Sequence, residues 1–324
     1  MNIVILDGYS INPGDLSWSL LEAFGALTIH DRTAPEEVLK RSSGAEIVLT
    51  NKSKIPADVI NTLPQLQYIG ELATGYDNID VKAAAERNIP VCNVPGYSTQ
   101  SVAQLTWALM LELTYNVNNR SAEVHNGAWT RSKDFCFGHE GLFELQGKTL
   151  GLIGLGQIGS AVAKIGMAFG MKIMASVRNP DKYDIAGVSF TSTEDCFKQS
   201  DFISLHCPLT EATRQMVNKN LLQLMKPSAY LINTARGALI NETDLAASLH
   251  AGQITGAALD VLSAEPPPAD NPLLKAPHCI ITPHIAWATR EARERLLKEV
   301  AENIKIFLNG GLRNVINGVR PANK

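Results

Sequence analysis

Thr149-Leu150-Gly151-Leu152-Ile153-Gly154-Leu155-Gly156-Gln157-Ile158-Gly159 decides how this chain is read. An apolar run breaks into Gly-x-Gly-x-x-Gly and continues as a helical pattern through Phe169. Strand, glycine turn and helix in that order form a dinucleotide-binding device: Gly154 permits the tight turn, Gly156 lets the backbone approach a pyrophosphate, and Gly159 lets the helix pack close to the strand. The helix N-terminus then points free N–H groups at the anion. About 150 residues precede the motif, room for another domain.

Outward from that turn, the pattern alternates on both sides. Ahead of it, strands are expected over 3–6, 46–49, 68–72 and 91–94, and helices over 15–24, 34–42, 56–62 and 81–87. Thr33 with Glu36 three residues later forms a capping-box pattern for the second helix. Residues 100–118 read as a long helix, apolar on nearly every side (Val102, Leu105, Trp107, Leu109, Met110, Leu111, Leu113). Such a helix is buried inside its own domain or against a partner subunit. Residues 119–144, polar with aromatics, read as an arm or long loop. From the glycine turn onward, strands are expected over 149–154, 172–177, 202–206, 229–233, 256–260 and 279–282. The helices of this second series fall over 157–169, 193–198, 219–225, 242–250 and 289–308. Alternation of this kind defines an α/β fold with doubly wound parallel sheets.

Composition sets the outer bounds. The chain has 324 residues, 45% hydrophobic and 19% charged, with a formal net charge of -3. These are values of a soluble globular protein of about two domains. Without a basic field or a dense Lys/Arg cluster, nucleic acid is not an expected partner. No apolar run approaches the ~18 residues of a membrane span. The N-terminal MNIVILDGYS reads as a first strand rather than a signal peptide. Cys92, Cys136, Cys196, Cys207 and Cys279 form no Cys-x-x-Cys pair, as expected of reduced thiols in the cytoplasm. The seven histidines lack metal-ligand spacing, so no metal is expected.

Three residues leave successive strand ends in the second half. Arg236 follows Leu231-Ile232-Asn233-Thr234-Ala235, Glu265 follows Ala257-Ala258-Leu259-Asp260, and His284 follows Ile280-Ile281-Thr282-Pro283. Strand ends on one edge of one sheet converge, and ligands bind at that edge. A guanidinium binds a carboxylate bidentately. An imidazolium delivers a proton to a carbonyl oxygen as hydride arrives at carbon. A carboxylate beside an imidazole favours its charged form and fixes its orientation. Each residue has a structural alternative: a loop salt bridge for Arg236, simple exposure for Glu265 before three prolines, and helix capping for His284. Their joint placement beyond a glycine loop favours oxidation and reduction of a 2-keto or 2-hydroxy acid.

With these motifs the chain resembles the D-isomer-specific 2-hydroxyacid dehydrogenases over essentially its whole length. Gly154-x-Gly156-x-x-Gly159, Asn233-Thr234-Ala235-Arg236-Gly237, Asp260-Val261 with Glu265-Pro266, and Thr282-Pro283-His284-Ile285-Ala286 match the family in order and spacing. The resemblance implies that Arg236 binds the substrate carboxylate, His284 donates the proton and Glu265 pairs with His284. It implies a Rossmann cofactor domain over 99–289, inserted in a flavodoxin-like substrate domain made of 1–98 plus 290–324. Cofactor contacts carry over to Val102, Thr106, Gly154, Gly156, Gln157, Ile158, Gly159, His206, Cys207, Pro208, Thr213, Thr234, Ala235, Asp260 and Ala286. The backbone of Ala73, Thr74 and Gly75 is implied to hold the substrate carboxylate, and a homodimer through the cofactor domain is expected. Trp129 to Phe137, Leu72 to Tyr76 and Val94 to Thr99 resemble the glycerate dehydrogenase (hydroxypyruvate reductase) branch, where Trp287 would narrow the site to a small substrate. Alternatives are another D-2-hydroxyacid dehydrogenase, of the D-lactate or phosphoglycerate type, or a non-catalytic NAD(P)-sensing protein.

One position departs from the pattern. An acidic residue about 20 positions beyond the glycines usually bonds the ribose hydroxyls of NAD. Val177 stands there, and Arg178 follows it. Loss of the carboxylate removes what would repel a 2′-phosphate, and Arg178 can pair with one. NAD or NADP is therefore the expected cofactor, with NADP favoured. The alternative is that Arg178 stacks on adenine while NAD is still used.

Overall fold

The computed structural model describes residues 1–321. The chain forms two compact units: Met1–Ser98 together with the chain from Ala288 onward, and Thr99–Trp287. Residues 322–324 of the segment expected over 290–324 lie outside the described residues.

The first unit holds a five-stranded parallel sheet in the order β2-β1-β3-β4-β5. Its strands are β1 (Asn2–Ile5), β2 (Ala26–Ile29), β3 (Ile47–Thr50), β4 (Tyr68–Glu71) and β5 (Val91–Cys92), and its helices include α1 (Ser19–Glu22), α2 (Val38–Ser42), α3 (Ala57–Thr62) and α4 (Val81–Glu86). β3 and β4 are buried throughout, as parallel strands covered on both faces must be.

The first unit departs from the expected pattern in three places. β2 is a short edge strand with alternating exposure, so it lacks the continuous apolar run that marks a buried strand. The helix expected over 15–24 shrinks to α1, because the Asn12 side chain accepts from Gly14 N and Leu16 N and donates to Leu16 O, curling the chain before it. Thr33 forms no capping box: its hydroxyl donates to Leu6 O, and the following turn over Pro35–Glu37 carries no side-chain cap.

The second unit opens with α5 (Thr99–Tyr115) and α6 (Val117–His125). Its seven-stranded parallel sheet has the order β12-β11-β10-β9-β6-β7-β8. The strands are β6 (Thr149–Ile153), β7 (Lys172–Ser176), β8 (Val188–Phe190), β9 (Phe202–Leu205), β10 (Tyr230–Asn233), β11 (Gly256–Leu259) and β12 (Cys279–Ile281). Helices α7 (Gln157–Ala168), α8 (Thr193–Gln199), α9 (Lys219–Leu222) and α10 (Glu242–His250) connect them. Strand order reverses between β6 and β9, so the ligand crevice of such a sheet opens at the C-terminal ends of these two strands.

In α5, Val102, Ala103, Trp107 and Met110 are buried while Gln104 and Ala108 are exposed, so the helix is not buried on every side. Residues 119–144 are not wholly irregular. Asn116 turns left-handed (φ 50) and α6 restarts at once, but α6 buries no residue, so it leaves no apolar period to read. β8 was unexpected for a similar reason: it is three residues long and on the sheet edge.

The last helix, α11 (Arg290–Leu308), belongs to the first unit. Thr289 caps it by accepting from Ala292 N, and Arg293 Nε donates to Ala288 O, so Ala288 and Thr289 go with this helix rather than with the cofactor segment expected to end at 289. The Arg293 guanidinium forks onto Asp15 with two contacts of 2.7 Å.

Phe202 anchors the aromatic core of the second unit, fully buried and stacked on Tyr230 at 5.2 Å between centroids, with Phe143 beside both. Phe202→Ala should cost about 3–5 kcal/mol of stability by the loss of contacts and the cavity left behind. A urea midpoint lowered at unchanged slope is the expected result, and an unchanged midpoint would contradict this account.

Candidate active site

The glycine turn links β6 to α7. Gly154 has φ +97, and a Cβ there would stand 2.7 Å from His206 O. A Cβ on Gly159 would stand 2.4 Å from Gly154 O. Backbone thus packs on backbone at both positions. At Gly156, the N-cap of α7, nothing lies within 4 Å of a Cβ position. A tight turn, open space at the N-cap and the helix's first N–H groups fit the pyrophosphate of a dinucleotide. Gln157 is exposed at the helix start and accepts from Thr99 Oγ1 at 3.2 Å, while Ile158 is half-buried.

Beside this turn, His206 Nε2 meets Ser204 Oγ at 2.9 Å. Burial pushes the imidazole down to about 4, so it is neutral near pH 7. Burial likewise raises the Cys207 thiol. His206 and Cys207 are therefore loop-forming groups, not a base and a nucleophile. Thr213 accepts from Thr210 N and donates to Pro208 O, both at 2.8 Å, closing the 208–213 loop.

Thr106 of α5 and Thr234 meet at 3.0 Å between hydroxyls. Thr106 gives its hydrogen to Val102 O at 2.8 Å, so Thr234 is the donor between them.

Arg236 follows the C-terminal end of β10. Asn233, fully buried, folds the 233–236 turn by accepting from Ala235 N at 3.0 Å and donating to Arg236 O at 2.9 Å. Gly237 comes next. A Cβ on it would stand 1.9 Å from the Leu262 carbonyl carbon, so the Arg236 turn lies directly on the loop that follows β11. That second loop carries Glu265, whose Oε1 accepts from Leu262 N at 3.1 Å and whose Oε2 meets His284 Nδ1 at 2.6 Å. With Glu265 ionised, Nδ1 carries the hydrogen between them. Nε2 is then the nitrogen left to act on another molecule. Both side chains are partly exposed, 23% for His284 and 34% for Glu265.

His284 sits at φ +53, an unfavourable backbone region for a residue with a Cβ. Its own N–H donates to Asp260 O at 2.8 Å. The Asp260 carboxyl accepts from Thr282 Oγ1, from Ile285 N at 3.0 Å and from Ala286 N at 2.8 Å. Asp260 is only 1% exposed. Burial pushes its carboxyl up while the three donors hold it down. Ala286 is buried, and its carbonyl accepts from Ser101 of α5. Trp287 is half-buried beyond it.

At the end of β7, Val177 packs half-buried against the core while Arg178 is exposed, and Ser176 pairs with Thr193 at 2.9 Å. No acid stands there. Among the described residues no group of three or more His, Cys, Asp or Glu is arranged to hold a metal.

The 73–75 loop belongs to the first unit. Val94 N donates to Ala73 O, Asn93 Nδ2 to Thr74 O, and Thr74 Oγ1 to Val94 O, at 2.7 to 2.9 Å. Among the described residues no protein acceptor takes the N–H groups of Ala73, Thr74 and Gly75. Such a row of free N–H groups suits an anion.

The structure thus joins His284 to Glu265, Thr106 to Thr234, and Asp260 to Ala286. Asn233, Gly237 and Thr282 were not foreseen as site residues. All three stand inside quoted motifs, but their reasons are a buried turn, a backbone crossing and a carboxyl clamp, which only the folded chain displays.

Residues 107–286 match the family model described as the D-isomer specific 2-hydroxyacid dehydrogenase, NAD binding domain. A hydroxypyruvate reductase of Blautia hydrogenotrophica is 45% identical over 98% of this chain and 100% of its own length. A glycerate dehydrogenase of Methylorubrum extorquens is 39% identical over 87% of this chain and 88% of its own. Among solved structures, an NADPH-dependent glyoxylate/hydroxypyruvate reductase of Sinorhizobium meliloti, in complex with NADP and malonate, superposes with a TM-score of 0.85 at 27% identity, covering 100% of this chain and 98% of that one. The chain belongs to the D-isomer-specific 2-hydroxyacid dehydrogenases, a family of NAD(P)-dependent oxidoreductases.

Gly237→Ala should push the Arg236 turn off the Leu262 backbone. We expect at least a hundredfold loss in kcat/KM, about 2.7 kcal/mol, in a protein whose far-UV circular dichroism is retained. Near-normal kcat/KM in this variant would show that the crossing does not position Arg236.

Proposed function

We propose that the chain reduces hydroxypyruvate to D-glycerate, with glyoxylate as a second substrate. The observation that carries this reading is the 2.6 Å contact between His284 Nδ1 and Glu265 Oε2. It supplies a proton donor of fixed tautomer next to an arginine-bearing turn. Arg236 grips the substrate carboxylate as a fork and polarises the adjacent carbonyl. In the first unit, the N–H groups of Ala73, Thr74 and Gly75 are assigned to a substrate carboxylate. His284 holds its proton at Nε2 for the carbonyl oxygen, and Glu265 supports the imidazolium by accepting from Nδ1. Reduced nicotinamide, when bound, supplies hydride to the carbonyl carbon. Gly154, Gly156, Gly159, Gln157 and Ile158 hold its pyrophosphate. Val102, Thr106, His206, Cys207, Pro208, Thr213, Thr234, Ala235, Asp260 and Ala286 line the rest of the cofactor. The choice of hydroxypyruvate rests on the names of the relatives and on Trp287 as a wall for a small acid. The unit of Thr99–Trp287 acts as the cofactor domain, and Met1–Ser98 with the chain from Ala288 onward as the substrate domain.

Two finer readings accompany it. NADP is preferred, because Val177 removes the acid that would repel a 2′-phosphate and Arg178 is exposed beside it. The chain acts as a cytoplasmic homodimer through the cofactor domain. Tyr115, Val117, Trp129, Phe135 and Leu142 form an exposed apolar series on the 115–142 segment, of the kind that marks an interaction surface.

The substrate reading is tested by NADH and NADPH oxidation against hydroxypyruvate, glyoxylate, pyruvate and phosphohydroxypyruvate. Hydroxypyruvate should give the highest kcat/KM, and His284→Ala should lower kcat by about 10²–10⁴ while cofactor binding persists. A higher kcat/KM for pyruvate or phosphohydroxypyruvate would overturn the substrate, and full activity of the variant would overturn the proton donor. Val177→Asp should move the NADH-to-NADPH ratio of kcat/KM toward NADH by about tenfold, or 1.4 kcal/mol. An unchanged ratio refutes the part given to Val177.

A further inference from the structure

A buried carboxyl lies at the root of the 73–75 loop. Glu71 is the last residue of β4, 1% exposed, and neither carboxyl oxygen has a hydrogen-bond partner among the described residues. Its charged surroundings are Asp7, Lys52 and Asp77, with the amide of Asn78. Asp7 follows β1 and is well served: it accepts from Asn51 N, Lys52 N and Ser53 N at 2.6 to 2.8 Å, and the Thr50 hydroxyl stands at 3.4 Å. The backbone donors of the 51–53 turn thus go to Asp7 and not to Glu71. Asn78 Nδ2 donates to Ser53 O, and Asn51 Nδ2 to Leu72 O at 2.8 Å. A second carboxylate here, beside the first and faced only by the amide of Asn78, would be a poorly paired buried charge, which folded proteins avoid by keeping such a group protonated. Burial, reinforced by Asp7 and opposed by Asn78, pushes the Glu71 carboxyl up to about 9.

The same corner braces the loop. Leu72 N donates to Thr50 O at 2.6 Å, Asn51 holds Leu72 O, and Val94 N holds Ala73 O at 2.9 Å. We propose that Glu71 is a positioning residue for the 73–75 loop, holding it in the anion-binding shape while its carboxyl is neutral and releasing it on ionisation. This rests on the reading that 73–75 takes the substrate carboxylate. Ionisation then adds a negative charge under an anion site and draws Glu71 toward water, pulling on the peptide that begins the loop. Affinity for the 2-keto acid falls on the alkaline side, whereas hydride and proton transfer, carried by other residues, do not follow Glu71.

Glu71→Gln keeps the shape and cannot ionise, and Glu71→Met is a second neutral variant should the amide disturb folding. Two quantities are measured in wild type and variants between about pH 7 and 10: the KM and kcat for hydroxypyruvate, and the hydrogen-exchange protection factors of the Leu72 and Val94 amides without substrate. The ratio of wild-type KM to variant KM should rise toward about tenfold per pH unit above the Glu71 transition, while the kcat profiles of wild type and the neutral variants coincide. Protection of the two amides should fall over the same range in wild type alone. Coincident protection profiles would overturn the role of Glu71. Diverging protection with coincident KM profiles would overturn the assignment of 73–75 to the substrate carboxylate, and the proposal with it.

Discussion

The site in the second unit depends on what one buried side chain does. Asp260 collects the Thr282 hydroxyl and the N–H groups of Ile285 and Ala286, and its backbone carbonyl takes the N–H of His284. This holds the turn after β12 in a conformation that His284 would not adopt alone. A positive φ at such a residue costs about 1–3 kcal/mol, and each of these four hydrogen bonds returns about 0.5–1.5 kcal/mol. The clamp therefore outweighs the strain, and the imidazole is delivered to Glu265 without freedom to swing away. Burial of Asp260 makes the arrangement stringent, since each acceptor position must be filled for a carboxyl to remain there.

Three sheet ends are locked to one another by contacts of this type. The Arg236 turn rests on Leu262 through the missing side chain of Gly237, Glu265 ties the β11 loop to the β12 turn, and Asp260 ties the end of β11 to the same turn. Rigid scaffolding of this kind lets an enzyme hold reacting groups within a fraction of an ångström. The glycine loop is built differently. Gly154 and Gly159 are filled by backbone while Gly156 is left open, which makes the turn firm and its mouth accessible.

Much of this was legible in the sequence, and the illegible parts share a cause. The buried strands β3, β4, β9, β10 and β11 announce themselves as apolar runs because both faces are covered. The edge strands β2 and β8 and the solvated helix α6 carry no such run, because nothing packs on one of their sides. Arg236, Glu265 and His284 were readable as charged or ionisable residues at strand ends. Their supports were not, since Asn233 and Gly237 act through distances that spacing along the chain does not encode. The Thr33 pattern failed because Leu6 O, far away in sequence, claimed the hydroxyl that local chemistry would give to a helix.

The return of α11 to the first unit has a bearing on how the protein comes to be. Asp15 meets Arg293 at a sequence separation of 278, and Asn303 donates to the Asn93 carbonyl at a separation of 210. During synthesis the opening sheet is finished long before the helix that covers part of it exists. The second unit, continuous in sequence, has every strand it needs before that helix emerges, and domains of this kind fold as the chain appears. The first unit alone must keep Leu21, Ile11 and their neighbours, wholly enclosed in the finished protein, from sticking elsewhere until the end. A nascent chain of this enzyme is therefore most exposed to misassociation at its beginning, and it is the final helix that ends that exposure.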